Sequence, residues 1–165
     1  MADGLEPRQV SSSRSELIRW TGVQDANTAG FVHGGMVMKT CDEAAAIAAV
    51  RHSGRRVVTA GMDRMTFTEP VHVGELLTCL ASVNAAWHTS MEVGVRVEAE
   101  DPRTGTRRHT STAYVTMVAL DDAGRPAPVP GVLTATEDER RRQREAELRR
   151  ANRLSERDQI LGERL

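Results

Sequence analysis

The stretch HGGMVMKTCDEAAAIAAV, residues 33–50, decides how the rest of the chain is read. Its alanines and aliphatics predict a helix over residues 35–51, closed by basic residues and then by Gly54. Such a composition belongs against a core, yet Asp42 and Glu43 stand side by side within it. Lys39, the only lysine in the chain, lies one turn before Glu43 and suits it as an i,i+4 partner. Asp42 can reach Lys39 as well, three residues back, but one ammonium cannot neutralise both acids at full strength. Its other helical neighbours, Met38, Ala45 and Ala46, offer it nothing, and the plain alternative is that it lies on an exposed edge of the helix. Aspartate is also a poor residue for a helix interior. A carboxylate without a local structural reason is a candidate for chemistry.

Just upstream, Gly34 and Gly35 leave the first backbone amides of the helix uncovered and open to close approach. With the positive end of the helix dipole behind them, these amides suit an oxyanion or a polarised carbonyl. Asp42 follows Gly35 by two helical turns, about 10 Å along the axis. One helix therefore cannot bring both groups to the same atom. They cooperate only if a second copy of the chain supplies its own Asp42, which predicts a site at a symmetric dimer interface.

Outward from the helix the period changes. ELIRW (residues 16–20) reads as a first strand, and TGVQDANTAGFVHGG as the loop that enters the helix. After the helix come VVTAGMDRMTFTEP, GELLTCLASVNAAW, SMEVGVRVEAE and RHTSTAYVTMVAL, all strand-like. In the third of these, Met91, Val93, Val95, Val97 and Ala99 alternate with Glu92, Arg96, Glu98 and Glu100, so one face is buried and one is wet. DPRTG is the tight turn into its partner. One Ala-rich helix against such strands predicts an α+β architecture with an antiparallel sheet wrapped around the helix.

The chain has 165 residues, enough for one domain with a real core. The expected division is a flexible segment over residues 1–14, the domain over 15–130 and a charged helical extension over 131–165. That extension carries nearly equal numbers of acids and bases and reads as a solvated, salt-bridge-laced helix frayed at its end. The formal net charge of −1 gives no reason to expect nucleic acid as a partner. No apolar run is long enough to span a bilayer, so no membrane insertion is expected. Isolated Cys41 and Cys79 and the absence of a signal-peptide pattern predict a cytoplasmic setting. His33, His52, His72, His88 and His109 show no ligand spacing, and no metal is expected. Cys41 lies beside Asp42, but no histidine is near it in sequence, so it reads as a small buried residue rather than a nucleophile.

The segments DANTAGFVHGGMVMKTCDEAAAIAAVRH, RVVTAGMDRMTFTEPVHVGE and TSMEVGVRVEAED resemble the hotdog-fold acyl-CoA thioesterases. The resemblance is nearest to the cytosolic, brain-type acyl-CoA hydrolases and their short bacterial relatives. It implies a hotdog fold, a homodimer assembling further into a trimer of dimers, and metal-free hydrolysis of fatty acyl-CoA to free acid and coenzyme A, with no cofactor. It also implies a catalytic pair from opposing domains, which maps onto Asn27 and Asp42. In that mechanism the Gly34–Gly35 region polarises the thioester carbonyl, Asp42 of the facing protomer activates water, and Asn27 orients the water or the carbonyl. Direct attack by Asp42 through an anhydride is the other route. His33 would line the pocket or pack the loop, and Thr89 and Ser90 would border the coenzyme channel. Arg55, Arg56, Arg64, Arg107 and Arg108 are candidate phosphate contacts. A hotdog hydratase or dehydratase and a non-catalytic acyl-CoA binder are the alternatives.

Overall fold

The computed structural model describes residues 4–162. Two short strands come first in chain order among the secondary elements here, β1 (Arg8–Gln9) and, after a 3-10 turn over Val10–Ser13, β2 (Ser15–Trp20). Helix α1 follows (Gly34–Ser53), then β3 (Arg56–Met62), β4 (Thr66–Phe67), β5 (Leu76–Ala86), β6 (Ser90–Glu100) and β7 (Arg107–Leu120). The chain finishes with β8 (Val132–Leu133) and helix α2 (Glu137–Gly162). The principal sheet has the order β2-β5-β6-β7-β3, with β4 also paired to β7. All of its pairings are antiparallel.

The alanines of α1 explain how this sheet curls around it. Val37, Cys41, Ala44, Ala45, Ala48 and Ala49 are buried at helical spacing and face Leu77, Cys79, Val83, Val93, Val95, Val115 and Met117 of the sheet. Small side chains let the strands come close to the helix backbone. A larger residue at the 0 % exposed Ala45 or Ala48 would overpack the core, at about 1–3 kcal/mol. His33 caps the helix at its start, and Gly54, at φ 68°, ends it in the left-handed conformation that glycine adopts without strain.

Two expectations change. Residues 8–13, read as flexible lead-in, are held: β1 pairs in parallel with β8, and Val10 and Ser13 are buried. The Ser13 hydroxyl accepts from the Val83 amide at 3.0 Å. The outer face of β6 is also not uniformly wet, because α2 crosses it. Glu92, expected in solvent, is 0 % exposed beneath that helix. The expected ladder of i,i+3 and i,i+4 ion pairs is present along α2, but one side of the helix docks through Glu139 and Ala146. The start of α2 is a capping box. Thr136 Oγ1 accepts from the Glu139 amide at 3.2 Å, and Glu139 Oε2 accepts from the Ala135 and Thr136 amides at 2.7 and 3.2 Å.

Candidate active site

The loop between β2 and α1 is tied to itself. The Asn27 amide donates to the Phe31 carbonyl at 2.7 Å, Ala26 and Val32 form an isolated bridge, and Gly30, at φ 84°, makes the reversal. Asn27 Oδ1 accepts from the amides of Ala29 and Phe31 at 2.9 and 3.2 Å. Two donors fix the oxygen end of this carboxamide, so Asn27 has only its NH2 group to offer a ligand.

At the helix start the two glycines divide. The Gly35 amide donates to His33 Nδ1 at 2.9 Å, so the imidazole is the helix cap and the Gly35 donor is engaged. A Cβ on residue 35 would lie 3.1 Å from that nitrogen, tighter than ordinary contact. The Gly34 amide makes no hydrogen bond among the described residues. Gly34 and Asn27 line one cleft of about 380 Å³, with Val32, Val37 and Val71 and both phenylalanines of the chain, Phe31 and Phe67. His33 and Gly35 face a different cleft, beside Arg19, Asp25 and Lys39.

Asp42 lies outside both clefts, half-buried on α1. Its Oδ1 accepts from the Thr59 hydroxyl of β3 at 2.5 Å, and it takes part in no ion pair among the described residues. Its neighbour Glu43 does pair with Lys39, at 3.9 Å between exposed side chains, a contact of little energetic weight. Thr59 escaped the sequence reading because its link to Asp42 spans a helix end and a strand. The only signal was its place in a β-branched run.

The other candidates scatter. Thr89 and Ser90 sit at the β5–β6 turn, where the Thr89 carbonyl accepts from the Ala119 amide at 2.9 Å. Ser90 is next to inward-facing Met91, so strand alternation turns its side chain to the outer face, away from Asp42. Arg56 binds the carbonyls of Asp121 and Asp122, while Arg64, Arg107 and Arg108 pair with Glu156, Glu100 and Glu75. Cys41 and Cys79 are fully buried with their sulfurs 4.0 Å apart. Their mutual hydrogen bond and burial push the Cys79 thiol far above its ordinary range, so Cys79 supplies no thiolate nucleophile. Among the described residues no group of three or more His, Cys, Asp or Glu side chains could hold a metal ion. No described helix is long and apolar enough to cross a membrane.

A scan of family models matches residues 29–106 to the thioesterase superfamily. The cytosolic acyl coenzyme A thioester hydrolase of Rattus norvegicus is 39 % identical over 83 % of this chain, and the match covers 36 % of that protein. The chain thus spans about a third of the length of such curated relatives. Among solved structures, a hexameric acyl-CoA thioesterase superposes with a TM-score of 0.88 at 38 % identity, over 92 % of this chain and 97 % of the other. The acyl-CoA hydrolase of Staphylococcus aureus, solved with butyryl coenzyme A and coenzyme A, gives 0.83 at 33 % identity, over 96 % and 99 %. With an antiparallel sheet wrapped around one helix and agreement along nearly the whole of two solved relatives, the chain belongs to the thioesterase superfamily and has its hotdog fold.

Proposed function

We propose that the protein hydrolyses fatty acyl-CoA thioesters to free acid and coenzyme A, at sites shared between two protomers. The observation that carries this reading is the division of labour within one chain. Asn27 and the open Gly34 amide share a cleft, while the hydroxyl-bound Asp42 lies beyond it on the same helix, beside β3 at the edge of the sheet. A second copy added along that edge would bring its Asp42 to the first copy's cleft. Exposed Val58 on β3 and Met38, Ile47 and Val50 on α1 give such a contact apolar area to bury.

The chemistry follows from which atoms are already engaged. The thioester oxygen receives the Gly34 N–H and the Asn27 NH2, two fixed donors where negative charge develops. The Thr59 hydroxyl holds one oxygen of Asp42, and the other takes a proton from water as its oxygen attacks the carbonyl carbon. The tetrahedral intermediate then expels the coenzyme A thiolate, a good leaving group that needs little acid assistance. This path uses no cofactor. Three structures of the Staphylococcus aureus hydrolase carry alanine in place of an asparagine, an aspartate and a threonine, with the same sequence spacing as Asn27, Asp42 and Thr59 here. The hexameric relatives support assembly as a trimer of dimers, and the cytosolic relatives support a cytoplasmic setting.

The decisive experiment mixes two impaired variants. Asn27→Ala and Asp42→Ala, each reduced to a small residual thiol release alone, should regain about a quarter of wild-type activity when their protomers reassort at random, since half the dimers are mixed and each has one intact site. No recovery, with mixed dimers demonstrated, would sink the shared site. No thiol release by the wild type on any acyl chain length would sink the hydrolase and leave an acyl-CoA binder.

A further inference from the structure

Arg19 stands out on β2. Leu17 on the same face packs against the core, so the alternation calls for another apolar residue, yet a guanidinium occupies the position. Its Nη2 donates to Asp25 Oδ1 at 2.9 Å, while its Nε is buried without a partner among the described residues. An unpaired buried donor is a cost to stability, and proteins keep such costs most often where a conformation has to be held. Asp25 is itself 6 % exposed. Its second oxygen accepts from the Gly22 amide at 2.9 Å, and its carbonyl accepts from the His33 amide at 2.7 Å. One residue thus fastens the loop to the sheet, closes the turn before Asn27 and grips the residue that precedes Gly34.

We infer that Asp25 is a positioning residue of the site. Through these contacts it sets the distance between the Asn27 NH2 and the Gly34 amide, and Arg19 holds its carboxylate in place. Asp25 does not face the cleft that those two donors line, so it acts through them and not on the substrate. The inference rests on the hydrolase reading above. The oxyanion is stabilised only if both donors meet the same oxygen, and a displacement on the order of 1 Å costs about a hundredfold in rate.

The test is a double-mutant cycle on the full chain, read as thiol release, with Asp25→Asn, Asn27→Ala and the two combined. Asp25→Asn should lower kcat about ten- to a hundredfold while KM changes less than about threefold, because donor alignment matters most in the transition state. In the Asn27→Ala background the same change should cost much less, a coupling that mere loss of stability would not produce. Arg19→Gln, which leaves the Asp25 contacts to Gly22 and His33 intact, should give a smaller fall with the same coupling, and it carries the test if Asp25→Asn does not fold. Wild-type kcat in the variants, or losses that simply multiply in the double mutant, would overturn the inference. A wild type that releases no thiol refutes the hydrolase reading instead. The loop lock is then read by amide hydrogen exchange at Asn27, Phe31 and His33, faster in Asp25→Asn if the lock is real and unchanged if it is not.

Discussion

Asp42 and Glu92 lie on opposite sides of one sheet, and their surroundings differ in kind. Glu92, on the outer face under α2, is 0 % exposed and fully answered. Arg149 meets it at 2.6 and 3.1 Å, Asn84 donates at 3.2 Å, and Arg153 stands 3.6 Å away while also binding Asp63 at 2.7 Å. The Arg149 guanidinium further stacks 3.5 Å from the centre of the Tyr114 ring. Asp42, on the concave side, has one neutral hydroxyl and, among the described residues, no cation. A carboxylate whose every lone pair is met is a fastener. One left with an open oxygen beside a free sheet edge is available for proton transfer.

The largest effect is expected at Asp42. Asp42→Ala should lower kcat by about two to four orders of magnitude, the usual contribution of a general base. Because Asp42 supports no ion pair, thermal stability should stay within about 1 kcal/mol of wild type. A variant that unfolds, or one that keeps its activity, breaks the contrast from the catalytic side.

Glu92 should behave the other way. Glu92→Ala leaves the Arg149 guanidinium under α2 without its counter-charge, and breaking such a buried pair costs about 3 kcal/mol; the partial exposure of Arg149 puts the figure at the low end of the range. Replacing both partners by methionine should recover most of the loss, since an apolar contact of similar volume avoids the desolvation of two charges. Urea unfolding of the wild type and the two variants checks this, and equal losses in the single and double variants would show that the pair is not what holds α2.

Thr59 tests the same contrast more finely. Thr59→Val keeps the shape and removes the one hydrogen bond that orients Asp42. A hydrogen bond to a charged group is worth about 1.5–3 kcal/mol, most of it here a matter of aim, so kcat should fall about tenfold with little change in stability. A loss as large as that of Asp42→Ala would mean that Thr59 takes part in the chemistry directly.

What the sequence carries well is whatever repeats with a period. The α1 helix, expected over residues 35–51, spans Gly34–Ser53, and SMEVGVRVEAE is β6 with its apolar set inward. Two of the failures, at Glu92 and Thr59, come from contact between elements far apart in the chain, and the others are local. Glu92 looks wet because alternation describes one sheet and is blind to a helix arriving from 57 residues away. Gly35 reads as an open donor until the His33 ring is seen to fold back onto it, a local event decided by one side-chain torsion. Asp42 stands out without its partner Thr59, since the absence of a local reason is visible in sequence and the distant reason is not. The TEDE capping box at the start of α2 is the opposite case, a readable local signal overlooked within a run of charges.

A third buried ionisable group, His52, extends the comparison to a side chain kept neutral. It is 0 % exposed near the end of α1, with Nε2 2.9 Å from the Pro130 carbonyl and Nδ1 buried without a partner among the described residues. The carbonyl requires a proton on Nε2, so Nδ1 is the bare nitrogen, and charging the ring would place a second N–H where nothing accepts it. Burial lowers the pKa of this imidazole, the Pro130 contact opposes that shift, and nearby Arg8 reinforces it. The unfolded chain then binds a proton more readily than the folded one. Stability from this group is fully present above about pH 6.5 and is lost as pH falls from there through the lowered folded value, with a slope of at most about 1.4 kcal/mol per pH unit. His52→Gln should flatten that acid limb without altering kcat, because the ring lies at the far end of the helix from Gly34. Melting temperatures of the two proteins at pH 7.5 and 5.5 measure the difference, and an equal fall in both would show that His52 is not the group behind it; Glu137 and Asp138, held below their ordinary pKa by the arginines beside them, act only in a more acid window.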